Sequence, residues 1–188
     1  MKRNVELRDP RALRAVAHPI RIRLLGLLRR EGPLTASEAG RRIDESSGSA
    51  SYHLRQLARF GLVEDAGGRH GRERPWRATA LYTSWPDVAD TPELAEASEV
   101  FARFILGRYV ERLEKWLGRR ANEPLEWQEA AAFGDSLLYL TVEELAELRD
   151  ILQGLADSYL ERVSRPELRP PGARPVALLQ VAFPDEES

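Results

Sequence analysis

The chain contains no cysteine. That excludes a disulfide framework and any thiolate metal site. No apolar run approaches the roughly 18 residues needed to cross a bilayer, so no membrane partner is expected. The N-terminus, MKRNVELRDP, has no apolar core of the kind a secretory signal needs, and the expected compartment is the cytoplasm. No phosphate-binding P-loop and no dinucleotide glycine pattern is present. The three histidines, His18, His53 and His70, have no catalytic motif around them. Nucleophilic catalysis needs Ser, Cys or Thr beside an oriented base, and no such constellation converges here. Neither an enzyme nor a cofactor nor a metal site is expected.

What is present is a globular composition: 188 residues, 43% hydrophobic and 31% charged, enough for one domain or two small ones. The net charge of -2 conceals a division. Residues 1–80 hold 17 Lys+Arg against 9 Asp+Glu, a balance of +8, and residues 81–188 hold 11 against 21, a balance of -10. A basic half joined to an acidic half points to a polyanionic partner for the first half only.

The most informative stretch is Ser46 to Val63, SSGSASYHLRQLARFGLV. At 100° per residue, Ala50, Leu54, Leu57 and Ala58 fall on one edge of a helix that can bury. The opposite side carries Gly48, Ser49, Tyr52, Arg55, Gln56 and Arg59. A polar face with two arginines is by itself usually a solvated face. Small residues at its N-terminus, however, allow close backbone approach, with free N–H groups for phosphate oxygens. Arg and Gln can also make paired hydrogen bonds to base edges. Gly61 stops the helix and Leu62-Val63 begins an extended segment.

The preceding residues supply the support. Asp9-Pro10 opens a first helix, and His18-Pro19 interrupts it. A second helix runs from Pro19 to about Arg30, with Ile20, Leu24, Leu27 and Leu28 on one side. Thr35-Ala-Ser-Glu38 is a capping box that opens a short third helix. A polar turn, Asp44 to Gly48, leads into the basic helix, so the pair reads as a helix-turn-helix. After it, Leu62 to Asp65 and Arg74 to Thr79 read as two strands around a Gly-rich tip. Arg69, Arg72, Arg74, Arg77 and His70 make that hairpin a basic wing. Such a wing suits phosphates or a flanking minor groove.

These residues resemble a known family. AHPIRIRLLGLLRREGPLTASEAGRRI, then SASYHLRQLARFGLVED, then a Gly/Arg hairpin, looks like the winged helix-turn-helix of ArsR-type bacterial transcription regulators. Tyr52-His53-Leu54, Leu57 and Gly61-Leu62-Val63 carry most of the likeness, which covers residues 8–80. It implies double-stranded DNA as partner and a homodimer reading two half-sites. Ser47 to Arg59 then lie in a major groove. Tyr52, Arg55 and Gln56 are the candidates for base edges, and Ser49, Ser51, Arg59, Arg72 and Arg74 for phosphates, with Arg69 on the wing. The sequence departs from the metal-sensing members: Ser37 to Ile43 carries no cysteine pair, and the C-terminal half has no histidine. Metal sensing is therefore not carried over.

Residues 85–188 are expected to form a C-terminal dimerisation or effector region, after a DNA-binding domain at 1–84. Pro86 to Pro92 reads as a linker. A long helix follows from about Thr91 to Arg120, its apolar side marked by Leu94, Ala97, Phe101, Phe104, Ile105, Tyr109, Leu113, Trp116 and Leu117. Thr141-Val-Glu-Glu144 is a second capping box, opening a helix to about Val163. LLYL at 137–140 and the segment 176–183 read as strands that pair. The expected fold class is α+β and mostly helical: a winged helix-turn-helix, a long helix, and a small helix/strand region. Two alternatives stand beside it. One is a regulator answering to an unidentified small-molecule effector in a C-terminal pocket of Trp116, Trp127, Phe133, Tyr139 and Tyr159. The other is a winged-helix protein-interaction module without DNA.

Overall fold

The computed structural model describes residues 1–68 and 74–185. Arg69, His70 and Arg72 of the expected wing, and the end of the acidic tail, lie outside the described residues. By contact the chain divides into two compact units, Met1–Ile105 with Leu160–Arg169, and Leu106–Tyr159 with Pro170–Ser188.

In the first unit, local chemistry sets each helix start. In α1 (Pro10–Val16), the Asp9 carboxylate accepts from the Arg11 amide at 2.8 Å. In α2 (Pro19–Glu31), the cap is His18, whose Nδ1 accepts from the Ile20 amide at 3.2 Å. In α3 (Ala36–Arg42), the Thr35–Glu38 capping box closes both ways: the Thr35 amide donates to Glu38 Oε2 at 2.8 Å and the Glu38 amide to Thr35 Oγ1 at 3.2 Å. In α4 (Ser47–Arg59), Ser46 Oγ accepts from the Ser49 amide at 3.1 Å. Each cap satisfies amides that a helix N-terminus leaves unpaired.

The core lies among these helices. Leu13 and Val16 of α1, Leu24, Leu25 and Leu28 of α2, and Leu54 and Leu57 of α4 are fully buried, with Leu62 and Val63 beneath them. Each buried leucine contributes up to about 1.5–3 kcal/mol by transfer from water, an upper figure because the unfolded chain already hides some surface. Leu94, Ala97 and Phe101, from the start of α5 (Pro92–Arg119), complete the same core. The contact boundary thus falls inside α5, after Ile105, and not in the 86–92 stretch read as a linker.

The turn between α3 and α4 is tight. The Glu45 amide donates to the Gly40 carbonyl at 2.9 Å, and Asp44 takes a left-handed φ of 57°. A Cβ on Gly40 would meet the Glu45 carbonyl oxygen at 2.7 Å, so only glycine lets the turn close on the helix before it. After α4, Gly61 at φ 67° redirects the chain into β2 (Val63–Asp65).

β2 pairs antiparallel with β3 (Trp76–Ala78), Val63 opposite Ala78 and Asp65 opposite Trp76. Leu34 bridges the other edge of β3, exchanging both backbone bonds with Trp76 at 3.0 and 2.8 Å. At Thr79 the chain leaves this sheet, its hydroxyl donating to the Gly61 carbonyl at 2.7 Å. β4 (Ala80–Ser84) then pairs parallel with β1 (Lys2–Glu6), from Lys2 opposite Ala80 to Glu6 opposite Ser84. Sequence reasoning assigned no element to β1, because KRNVE is short, charged and without a full apolar period.

The second unit holds the end of α5, α6 (Leu125–Ala130) and α7 (Val142–Asp157), and α8 (Glu161–Ser164) belongs to the first. Two expectations are corrected. The helix from Thr141 stops at Asp157 and not near Val163, since the Ser158 hydroxyl donates to the Leu155 carbonyl at 2.7 Å and competes with continued helix. The segments 137–140 and 176–183 are not paired strands. Both are exposed and without regular secondary structure, and the Gln180 side-chain amide donates at 3.0 Å to the Leu152 carbonyl on α7. Four apolar residues make a strand only where a second edge meets them, and here none does. The architecture is α+β and mostly helical: a helix-turn-helix with a hairpin wing, a long helix, and a small C-terminal region.

Candidate nucleic-acid interface

α4 divides as its period predicts. Ala50, Leu54 and Leu57 are buried, while Ser47, Gly48, Tyr52, Arg55 and Arg59 are exposed and Ser49, Ser51 and Gln56 half-buried. Ala58, expected on the buried edge, is half-buried against the core. Tyr52, at 51% exposure, Arg55 and Arg59 follow one another at i, i+3 and i+7, so one face presents all three.

The electrostatics separate these arginines from their neighbours. Arg8, Arg14, Arg42, Arg74 and Arg77 each pair with a carboxylate. Arg23 donates to the Ile43 carbonyl at 2.7 Å. Among the described residues, Arg55, Gln56 and Arg59 make no hydrogen bond or ion pair within the protein. Arg41, exposed on α3, is in the same position, and sequence reasoning missed it. The signal available was its place at the end of the helix before α4, where its charge adds to the same basic surface.

Three candidates have prior commitments. The Ser49 hydroxyl donates to Glu45 Oε2 at 2.8 Å, which occupies the proton a phosphate would need. Arg74 pairs with Asp65 at 3.1 Å, and the Gly67 amide, then Arg74, holds that carboxyl below the usual range. Arg77 pairs with Glu64 at 2.8 Å. The two arginine pairs lie at the surface and contribute little, so those arginines can exchange partners readily.

His53 faces inward. It is buried, its ring centroid lies 4.6 Å from that of His18, and its Nδ1 accepts from Arg21 Nε at 3.4 Å. Arg21 also donates to the Ala15 carbonyl, so one side chain ties α1, α2 and α4 together. The Tyr52 ring meets His53 edge-on at 5.1 Å, which fixes the direction of the tyrosine from below. Burial lowers the affinity of both histidines for a proton, with the Arg21 charge adding to it.

The aromatic residues expected to line a C-terminal pocket are not enclosed: Phe133 is 69% and Tyr139 86% exposed, and Trp127 lies beneath the Arg174 guanidinium at 4.6 Å. Among the described residues no cluster of three His, Asp or Glu side chains is placed to hold a metal ion, and no helix is long and apolar enough to cross a membrane.

Comparison with known proteins bears on the first unit. No curated protein matches the chain. A solved structure, the YusO protein from Bacillus subtilis, is 17% identical over 79% of this chain and 84% of its own. Its TM-score of 0.34 gives that likeness no weight in the argument. A family model described as a helix-turn-helix domain matches residues 16–66, from the end of α1 through β2. The stretch that presents Tyr52, Arg55, Gln56 and Arg59 is therefore a helix-turn-helix domain.

Proposed function

We propose that the protein is a homodimeric, ArsR-type transcription regulator that reads double-stranded DNA through α4 and a basic wing. The observation that carries this reading is a contrast in engagement: many arginines of the first unit are held by carboxylates or backbone carbonyls, while among the described residues Arg55 and Arg59 on the exposed face of α4, and Arg41 at the end of α3, make no hydrogen bond or ion pair. In this reading residues 1–84 bind DNA and α4 lies in the major groove. Tyr52, Arg55 and Gln56 meet base edges, and Ser47, Ser51, Arg59 and Arg41 meet phosphates. Arg69, Arg72 and Arg74 of the wing touch the adjacent backbone. Ser49 is demoted, because its proton is engaged by Glu45.

The dimer reading is supported by α5. Leu106, Val110, Leu113 and Leu117 are 51, 44, 37 and 46% exposed. Their 4-3-4 spacing is that of a two-helix seam. They lie on a different side from Phe101, Phe104 and Ile105, which pack on the first unit's core. No described residue after Phe101 is buried, so the second unit has no core of its own and a second copy is the natural cover. Two copies would present α4 to half-sites about 34–36 Å apart.

The test is binding to genomic fragments at two salt concentrations, with the Tyr52→Ala/Arg55→Ala double variant alongside. Fragment-selective binding that weakens steeply with salt, and a variant that keeps affinity but loses selectivity, is the expected outcome. A folded protein with no affinity for DNA at low salt would sink the reading in favour of a protein-interaction module.

A further inference from the structure

A cleft of about 440 Å³ lies wholly within the first unit, among α2, β3, β4 and α8. That volume is in the range of small-molecule sites. Its floor is apolar, with Leu28, Pro33 and Leu81. Its charge comes from Arg29, Arg77 and Arg165.

Arg29 is the unusual member. Its Nε donates to the Ala80 carbonyl at 3.0 Å and its Nη2 to Thr83 Oγ1 at 2.6 Å. Both partners are neutral, and among the described residues no carboxylate pairs with it. A guanidinium has five N–H donors, so these two bonds leave others to spend. Burial pulls its pKa down to about 10, with no opposing charge to restore it. A cation taken from water without a counter-ion is held at a cost, and an anion delivered to it recovers that cost. Arg77 and Arg165 differ, since Glu64 holds the first at 2.8 Å and Glu167 and Glu161 hold the second at 3.0 and 3.4 Å. Glu161 also lines the cleft, but its charge is offset by Arg165.

We propose that this cleft binds a small organic carboxylate, its anionic end paired bidentately with the Arg29 guanidinium and its apolar body resting on Leu28, Pro33 and Leu81. An Arg–carboxylate fork supplies both the charge and the geometry, whereas the floor selects against bare inorganic anions. Such a ligand would join α2, the last strands of the wing region and α8 in one contact. An effect on DNA affinity rests on the regulator reading; the binding itself does not.

The experiment measures binding without DNA, by calorimetry and thermal shift on the full chain. The probes are phenylacetate, its neutral isostere phenylacetamide, and inorganic phosphate. Saturable phenylacetate binding and a rise of about 2–5 °C in Tm at ten times Kd are expected, with neither control binding comparably. Arg29→Met should abolish the response. Because Arg29 also anchors β4, Leu81→Trp is the second variant: it fills the cleft, leaves the guanidinium in place, and should weaken binding at least tenfold. Equal binding of phenylacetamide removes the role of Arg29. Tighter binding of phosphate refutes the organic class. No phenylacetate binding, or full binding by a folded Leu81→Trp, overturns the site. A chain that binds phenylacetate but not DNA would refute the regulator reading and leave this one standing.

Discussion

Gly40→Ala tests whether the α3–α4 turn is set by close backbone approach. The added Cβ would sit 2.7 Å from the Glu45 carbonyl oxygen and 3.2 Å from that of Ser46, the first being 0.7 Å inside the 3.4 Å of ordinary contact. Both obstacles are backbone, so neither can rotate aside. Overpacking of this kind costs about 1–3 kcal/mol. Alanine returns about 1 kcal/mol through helix propensity, because Gly40 lies within α3. The net expectation is a loss of up to about 2 kcal/mol, read as a fall of as much as several degrees in Tm. Ser46 caps α4, so the displaced turn should also weaken DNA binding beyond the stability loss. Gly26→Ala in α2 is the control. Its Cβ would meet only the tip of Arg30 at 3.1 Å, a flexible side chain, and it should be neutral or stabilise by up to about 1 kcal/mol. If Gly40→Ala were as stable as Gly26→Ala by thermal and urea unfolding, the close-approach argument would be wrong.

Leu54→Ala should destabilise the first unit by about 2–5 kcal/mol in urea unfolding, as a fully buried leucine beside Leu13, Leu24 and Leu57 leaves a cavity. His18 and His53, facing Arg21, Glu45 and Tyr52, both have folded-state pKa values below 6.5, so the unfolded chain binds more protons; stability should be level above about pH 6.5 and fall as pH drops below it. His53→Gln should flatten that decline, and an unchanged pH profile would remove the pair from the account. Leu113→Arg should convert a dimer to monomers in sedimentation while leaving the fold of the first unit intact by near-UV circular dichroism. Arg55→Ala should cost about 1–3 kcal/mol of affinity and relax one base position, whereas Arg59→Ala should weaken all DNA alike and reduce the salt slope by about one.

The helix-turn-helix was legible because its signals are local. Asp9-Pro10, Thr35…Glu38 and Ser46 are caps that act within three residues, and the 3.6 period of α2 and α4 names their buried leucines directly. The exposure of the candidate residues was legible for a related reason: a residue on the polar edge of an amphipathic helix stays exposed whatever the core does, as Tyr52, Arg55 and Arg59 do. What failed was partnership. That Ser49 is engaged by Glu45, or Arg74 by Asp65, depends on distances across a turn or hairpin. Arg29 is not among the residues on the apolar side of α2, yet it is half-buried against β4, a strand that pairs with β1, nearly 80 residues away in sequence. β1 itself has no apolar alternation to announce it. It exists because β4 offers an edge, and only the tertiary fold brings that edge to residues 2–6.

The second unit failed to be read for a deeper reason, and the failure says something about its function. Capping boxes placed the start of α7 correctly, since Thr141 and Glu144 act locally. The expected strands at 137–140 and 176–183 were inferred from apolar content alone, and apolar content states only that a segment must be covered, not by what. Leu137, Leu138, Val176, Leu178 and Val181 remain mostly exposed, as do Leu106, Val110 and Leu117 on α5. An isolated chain with this much uncovered apolar surface does not repay the entropy of ordering it. In the proposed dimer a second copy would cover the apolar seam of α5, Leu106, Val110, Leu113 and Leu117. A core closed by its own residues made the first unit easy to derive, and among the described residues the second unit has none; in the proposed dimer, a C-terminal half that folds only in pairs would also hold the two copies of α4 at a fixed spacing.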